Sequence, residues 1–304
     1  MAAEVGTKSV VAALVANTGI AVAKFVGFFF TGSSSMLAEA IHSVADAGNQ
    51  ALLLLGVRRA TKRPSAEHPF GYGRERYFWS FIVALVIFTL GAGFAVYEGI
   101  DKVRHPHDIR GVWWAVGILG TGILLEGLSF RTAIGEARPL RGDTTWWRFI
   151  RRSRSPELPV VLLEDLGALA GLVVALAAVV LADVTGNAVW DGIGTLCIGA
   201  LLGVIAILLA VELKSLLIGE GALPEHRRHL LEAASAAPEV RRVIHLRTQH
   251  LGPEELLVAL KAEFDPALDV AGLAAAIDAA EARLRAAVPI TQVIYVEPDL
   301  FRED

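Results

Sequence analysis

Long apolar blocks dominate this sequence and leave few folds open to it. Six stretches, about 9–30, 36–60, 78–100, 112–134, 158–181 and 192–213, are each bounded by Gly, Pro, Arg or Asp. A bilayer span needs ~20 mostly apolar residues, so every stretch is long enough to cross as a helix. Of the 304 residues, 54% are hydrophobic and 20% are charged; a soluble domain sits nearer about half apolar and about a quarter charged. The first stretch is too long for the apolar part of a signal peptide and is followed at once by a second, so it reads as a retained span.

The loops set an orientation. Arg58, Arg59, Lys62, Arg63, Arg74 and Arg76 lie between the second and third stretches, and seven arginines from Arg131 to Arg154 lie between the fourth and fifth. The loops 31–35 and 182–190 have no Lys or Arg, and the loop between the third and fourth stretches has Lys102, Arg104 and Arg110. Basic loops remain cytoplasmic, which places both termini in the cytoplasm. The one cysteine, Cys197, excludes an internal disulfide and a thiolate cluster and reads as a small buried residue.

From Glu220 onward the character changes. The tail has 15 Asp/Glu against 9 Lys/Arg, and the charge pattern suggests no nucleic-acid partner. Residues 224–237 read as a helix opening on proline, 240–249 and 256–264 as strands around a Leu251-Gly252-Pro253 turn, 270–287 as a helix and 290–297 as a last strand. The expected architecture is an all-α six-helix transmembrane domain, residues 1–218, and a cytoplasmic α+β domain of α-β-β-α-β order, residues 219–304.

Polar groups at membrane depth are costly and so mark functional positions. Glu39, His42, Ser43, Asp46, Asn49 and Gln50 are separated by 3, 1, 3, 3 and 1 residues in the second stretch and share one stripe of a helix. His42 and Asp46 stack one turn apart, able to offer a nitrogen and an oxygen to the same ion. The fifth stretch adds Glu164 and Asp165. Nitrogen and oxygen donors suit tetrahedral Zn²⁺, and Co²⁺, Fe²⁺ and Mn²⁺ remain open. The alternative is a structural network that ties helices together. Elsewhere, Asn17 and Lys24 share a face of the first stretch, where Lys24 reads as snorkelling or ion-paired. Glu126 reads as a proton relay or as a partner of Arg131. Gly117, Gly120, Gly122, Gly167 and Gly171 read as close-packing sites. His68, His105, His107, His226, His229, His245 and His250 read individually as solvated side chains.

Three segments resemble the cation diffusion facilitator family of secondary zinc transporters. Residues 32–46, with His42 and Asp46 as an H/D-x-x-x-D pair, are similar to the family's second span. His68 to Arg76 resembles the signature entering its third span. Leu246-Arg247-Thr248, Gly252-Pro253 and Val296-Glu297-Pro298-Asp299 resemble its tail. The resemblance covers essentially the whole chain. It implies a homodimer, a ferredoxin-like tail, and exchange of one metal ion for protons across the bilayer. It carries over His42, Asp46 and Asp165 as ligands, with His at the first position associated with zinc over manganese. Val161 stands where the family places a His or Asp, leaving Glu164 as the substitute fourth ligand, with water as the other. The Leu162-Leu163-Glu164-Asp165 arrangement looks like the branch containing the mitochondrial zinc transporters and their bacterial relatives. In the signature loop Tyr72 replaces a second histidine beside His68, and Tyr295 occupies a position that is His in metal-binding tails.

The expectation is therefore proton-coupled export of a divalent metal, Zn²⁺ first, with Co²⁺, Cd²⁺, Fe²⁺ or Mn²⁺ as alternative cargo and no resident cofactor. An intramembrane metalloenzyme, which has no H-E-x-x-H pattern here, and a non-transporting metal sensor or scaffold are the other classes. No mitochondrial presequence is recognised, and the Ala/Arg/Gly-rich composition suits a bacterial inner membrane.

Overall fold

The computed structural model describes residues 34–106 and 112–302, with side chains from Ser43 onward, together with a discontinuous set of positions within 10–29. Contacts divide it into two units, Met1–Arg59 with Glu75–Lys214, and Ala60–Arg74 with Ser215–Asp304.

The first unit is helical. Its elements are α1 (Ser34–Ala60), α2 (Glu75–Arg104), α3 (Val112–Arg141), the short α4 (Trp146–Arg152), α5 (Glu157–Thr185) and α6 (Val189–Ile218). Among the described residues, α2, α3, α5 and α6 are the four helices long and apolar enough to cross a membrane. α1 forms over the second apolar stretch, and the described positions of the first stretch are helical; Lys24 lies outside the described residues, as does His107. The helices overrun their apolar blocks because composition marks only the part that must sit in hydrocarbon. Thirty residues rise about 45 Å, against about 30 Å of core. Thus α3 continues past Ile134 to Arg141 and accommodates Pro139 within its final turn.

Backbones approach where side chains vanish. A Cβ on Gly167 would meet Ile205 at 2.8 Å and one on Gly171 would meet Ile198 at 3.5 Å, so α5 and α6 close on each other there. α6 lies equally close to α2, where a Cβ on Gly192 would sit 2.8 Å from the Val103 backbone nitrogen. Gly122 faces Leu172 of α5, whereas Gly117 and Gly120 meet nothing among the described residues. Cys197, expected to be buried, is exposed on α6. Its apolar surroundings in sequence are those of an outward face rather than of a core. Phe88, Leu90, Phe94, Trp113 and Trp114 also point outward, as lipid-facing side chains do.

α2 bends through a wider turn at Ile87–Gly93. At its opening end Arg76 Nε and Nη2 donate to Glu157 Oε1 and Oε2 at 2.5 and 2.8 Å, and both residues are buried. This two-bond fork joins the starts of α2 and α5. Removing one member of a buried pair strands the other charge, at a cost of about 3–5 kcal/mol.

The second unit carries α7 (Pro224–Ser235), β1 (Val240–Gly252), β2 (Glu255–Phe264), α8 (Val270–Ala287) and β3 (Thr291–Pro298). The α-β-β-α-β order is the expected one. β2 is central, antiparallel to β1 and parallel to β3, and the parallel pairing requires the crossover that α8 supplies. Leu256, Val258, Leu260, Ala262 and Phe264 alternate inward along β2 and meet Leu230, Ala276 and Leu284 of the two helices. Asp269 caps α8 by accepting from Gly272 N at 2.7 Å. His250, expected to be solvated, is 1% exposed because it faces inward at the end of β1, where its Nδ1 lies 3.3 Å from Gly252 O.

Residues 60–74 belong to this unit through one tight approach. A Cβ on Gly73 would sit 2.7 Å from Leu251 O and 2.9 Å from a Glu255 carboxylate oxygen, so only glycine fits against the β1–β2 turn. Burial pushes the Glu255 carboxyl above its ordinary 4.5.

Two measurements follow from these contacts. Glu157→Ala should lower the unfolding free energy of the detergent-solubilised chain by about 3–5 kcal/mol, read as a lower Tm, and an unchanged Tm would mean the fork contributes nothing. Because the folded state holds the Glu255 proton more tightly than the unfolded state, that stabilisation is complete below pH 4.5 and is lost as pH rises through the folded pKa. Glu255→Gln should therefore gain stability over the parent chain as pH rises above that value; a difference constant with pH would contradict it.

Candidate metal centre

α1 turns its polar stripe from Ser43 to Gln50 to the bundle. Ser43, Asn49 and Gln50 are buried, and Asp46 is half-buried between them. Asn17 Nδ2 donates to Gln50 Oε1 at 3.2 Å, which links the first helical stretch to α1. One turn above Gln50, Asp46 shares the face of Asn49. His42 lies on the same helix, with its side chain outside the described residues, as is that of Glu39.

α5 enters the bundle with every residue from Glu157 to Asp165 buried. Asn49 Nδ2 donates to Glu164 Oε1 at 2.7 Å, tying α1 to α5 at this depth. Glu164 Oε2 is buried with no hydrogen-bond partner among the described residues. Asp165, set about 100° round the helix from its neighbour, turns instead to α3, where Ser129 Oγ donates to Asp165 Oδ2 at 3.1 Å. Asp46 and Glu126 lie within electrostatic reach of both Glu164 and Asp165. Glu126 therefore faces the carboxylates of α5, which bears on its reading as either a proton relay or a partner of Arg131.

The structure thus brings together Asp46, Glu164 and Asp165 from α1 and α5. Among the described residues no three His, Cys, Asp or Glu converge closely enough to grip an ion. Val161, one turn before Asp165, is buried and apolar. What the arrangement offers is carboxyl oxygen donors, one of them braced by an amide, which suit a hard or borderline cation. Sequence reasoning had Asn49 in the stripe without a role and missed Ser129. The signal for Ser129 was its position three residues after Glu126, on the same face of α3.

Other candidates are engaged elsewhere. His68 is exposed, its ring edge-on to Tyr72 at 4.7 Å. Glu297 pairs with Lys261 at 3.1 Å, and Asp299 pairs with the same ammonium at 2.7 Å. These hydrogen bonds raise Lys261 and lower Asp299 from their ordinary values. Tyr295 is exposed beside them.

Residues 10–218 match the cation efflux transmembrane domain and residues 222–299 the cation efflux protein cytoplasmic domain. The chain belongs to the cation diffusion facilitator family. It is a multi-pass membrane protein of that family, with the helical domain first and the α+β domain after it. It is 35% identical over 244 residues to the mouse mitochondrial proton-coupled zinc antiporter SLC30A9, covering 80% of this chain and 43% of that protein. It is 32% identical to Arabidopsis thaliana metal tolerance protein C4, covering 85% and 56%, and 27% identical to zinc transporter ZitB of Pectobacterium atrosepticum, covering 86% and 77%. The chain spans less than half the length of the mouse antiporter it matches.

Asn49→Ala leaves a buried Glu164 oxygen without its donor. It should cost about 1–3 kcal/mol of stability, measured as a fall in Tm of the metal-free protein; no fall would mean that another donor replaces the amide.

Proposed function

We propose that this chain is a secondary transporter, not an enzyme, which exports a divalent transition metal, Zn²⁺ first, from the cytoplasm in exchange for protons. The observation that carries the reading is the braced carboxylate cluster inside an apolar helical unit: Asp46, Glu164 and Asp165, with Asn49 holding Glu164 so that one oxygen remains bare. His42, one turn from Asp46, supplies the nitrogen donor and Glu164 takes the place of the ligand missing at Val161. Zinc as the cargo follows the names of the relatives; the distribution of basic loops puts both termini in the cytoplasm, and the Ala/Arg/Gly-rich composition suits a bacterial inner membrane.

Metal and protons compete for the same atoms. An ion needs His42 neutral and the carboxylates ionised, so loading expels protons and protonation expels the ion. Facing the cytoplasm the site loads; facing the proton-rich side it exchanges the ion for protons, and the protonated site returns. Asn49 and Ser129 keep the two α5 carboxylates oriented through the cycle, as outer-shell donors do. Two copies associate through the tail, in keeping with the dimerisation role in the name of its matching domain family.

Two tests bear on this. Proteoliposomes with an imposed pH gradient should take up zinc in step with the gradient, and Asp46→Ala should abolish the flux. Flux indifferent to the gradient, or surviving in Asp46→Ala, overturns the proposal. Asn49→Ala should weaken zinc binding by roughly 10–100-fold in calorimetric titration, with competition by Co²⁺, Cd²⁺, Mn²⁺ and Fe²⁺ ranking the cargo; unaltered affinity would remove Asn49 from the site.

A further inference from the structure

The loop between α3 and α5 contains more than a turn. Seven arginines run from Arg131 to Arg154, three on the last turns of α3 and four beyond it, against two acidic residues, Glu136 and Asp143. Within it α4 folds as a helix with Thr145 as its N-cap, the hydroxyl accepting from Arg148 N. Trp146 and Phe149 pack edge-to-face at 6.3 Å. Arg141 lies over the Trp146 ring at 4.9 Å and Arg151 over Trp147 at 5.9 Å. Arg151 reaches back to Glu212 of α6 at 3.5 Å, anchoring the helix to the bundle. Trp147 nonetheless stays 54% exposed. Arg148 and Arg152 are exposed as well, and among the described residues neither has a carboxylate partner.

The depth of α4 follows from the helices that hold it. The Ser129–Asp165 hydrogen bond puts those two residues at one level. At 1.5 Å per residue, Glu157 then lies about 12 Å and Arg141 about 18 Å from that level toward the same end, the end at which the apolar run of α5 begins. α4 connects these two points and so runs at the level where α5 turns apolar at Leu158. A short helix with tryptophan and arginine side chains exposed at that level has the make-up of an interfacial segment, and its charge complements an anionic leaflet.

We propose that α4 is a docking surface for anionic lipid headgroups, with Arg148 and Arg152 reading the phosphate and Trp147 seated in the interface. The test uses the full chain with Trp147 as its sole tryptophan, the other five replaced by Phe, reconstituted in mixed phosphatidylcholine and phosphatidylglycerol vesicles. Quenching of Trp147 by brominated lipid of each kind gives their relative binding constant. Phosphatidylglycerol should be preferred, and Arg148→Gln and Arg152→Gln should each reduce that preference by about fivefold. Rising sodium chloride should weaken it in the parent chain, because screening shortens from about 10 Å at 0.1 M to about 3 Å at 1 M. Equal quenching by both lipids, or a preference untouched by the substitutions, overturns the proposal. So does protection of Trp147 from both lipids, which would place protein on this face. Inorganic phosphate that displaces the lipid beyond sodium chloride at equal ionic strength would assign the arginines to a soluble anion instead.

Discussion

A carboxylate withdrawn from water into a helical bundle must be met by a donor, a proton or a cation, and Glu164 and Asp165 are held under that condition. Each is met by one neutral donor from a different helix: Asn49 from α1 and Ser129 from α3. Those two hydrogen bonds fix which helices flank α5 and at what height. They also satisfy the carboxylates only in part, since Glu164 keeps a buried oxygen without a partner among the described residues.

The rest of the helical unit serves to place α5. The Arg76–Glu157 fork pins its first turn to α2, eight residues before Asp165 and about 12 Å away along the axis. Gly167 and Gly171 let α6 approach just beyond the acidic pair. A helix held by a charge-assisted fork at its end and by close backbone contact past its middle has little freedom to rotate, and rotation by one residue, about 100°, would turn one of Glu164 and Asp165 into the direction of the other and carry that other away from its donor. The same fork is a point that a change of access must either carry along as a rigid body or break.

Much of this was legible in the sequence because the bilayer imposes coarse rules. Apolar length located α2, α3, α5 and α6; the polar stripe marked the inward face of α1 from Ser43 to Gln50; and 256–264 was legible as a strand. Boundaries were less legible, because a helix such as α3 continues into water once started and nothing in composition marks its end. Contacts between distant residues were not legible at all. Arg76 and Glu157 are separated by 81 positions, and each alone looks like a charge at a helix end. Cys197 and His250 were read the wrong way round, since apolar neighbours in sequence do not reveal whether a side chain faces protein or lipid, and a histidine on a strand is buried or exposed by its parity.

In the proposed site one ion rests among His42, Asp46, Glu164 and Asp165. X-ray absorption on the purified protein loaded with one zinc per chain tests it most directly. Nitrogen and oxygen neighbours alone are expected at about 2.0–2.2 Å, with a single imidazole signature that disappears in His42→Ala. A site with several imidazoles, or a spectrum unchanged in both His42→Ala and Asp46→Ala, would place the ion elsewhere and contradict it.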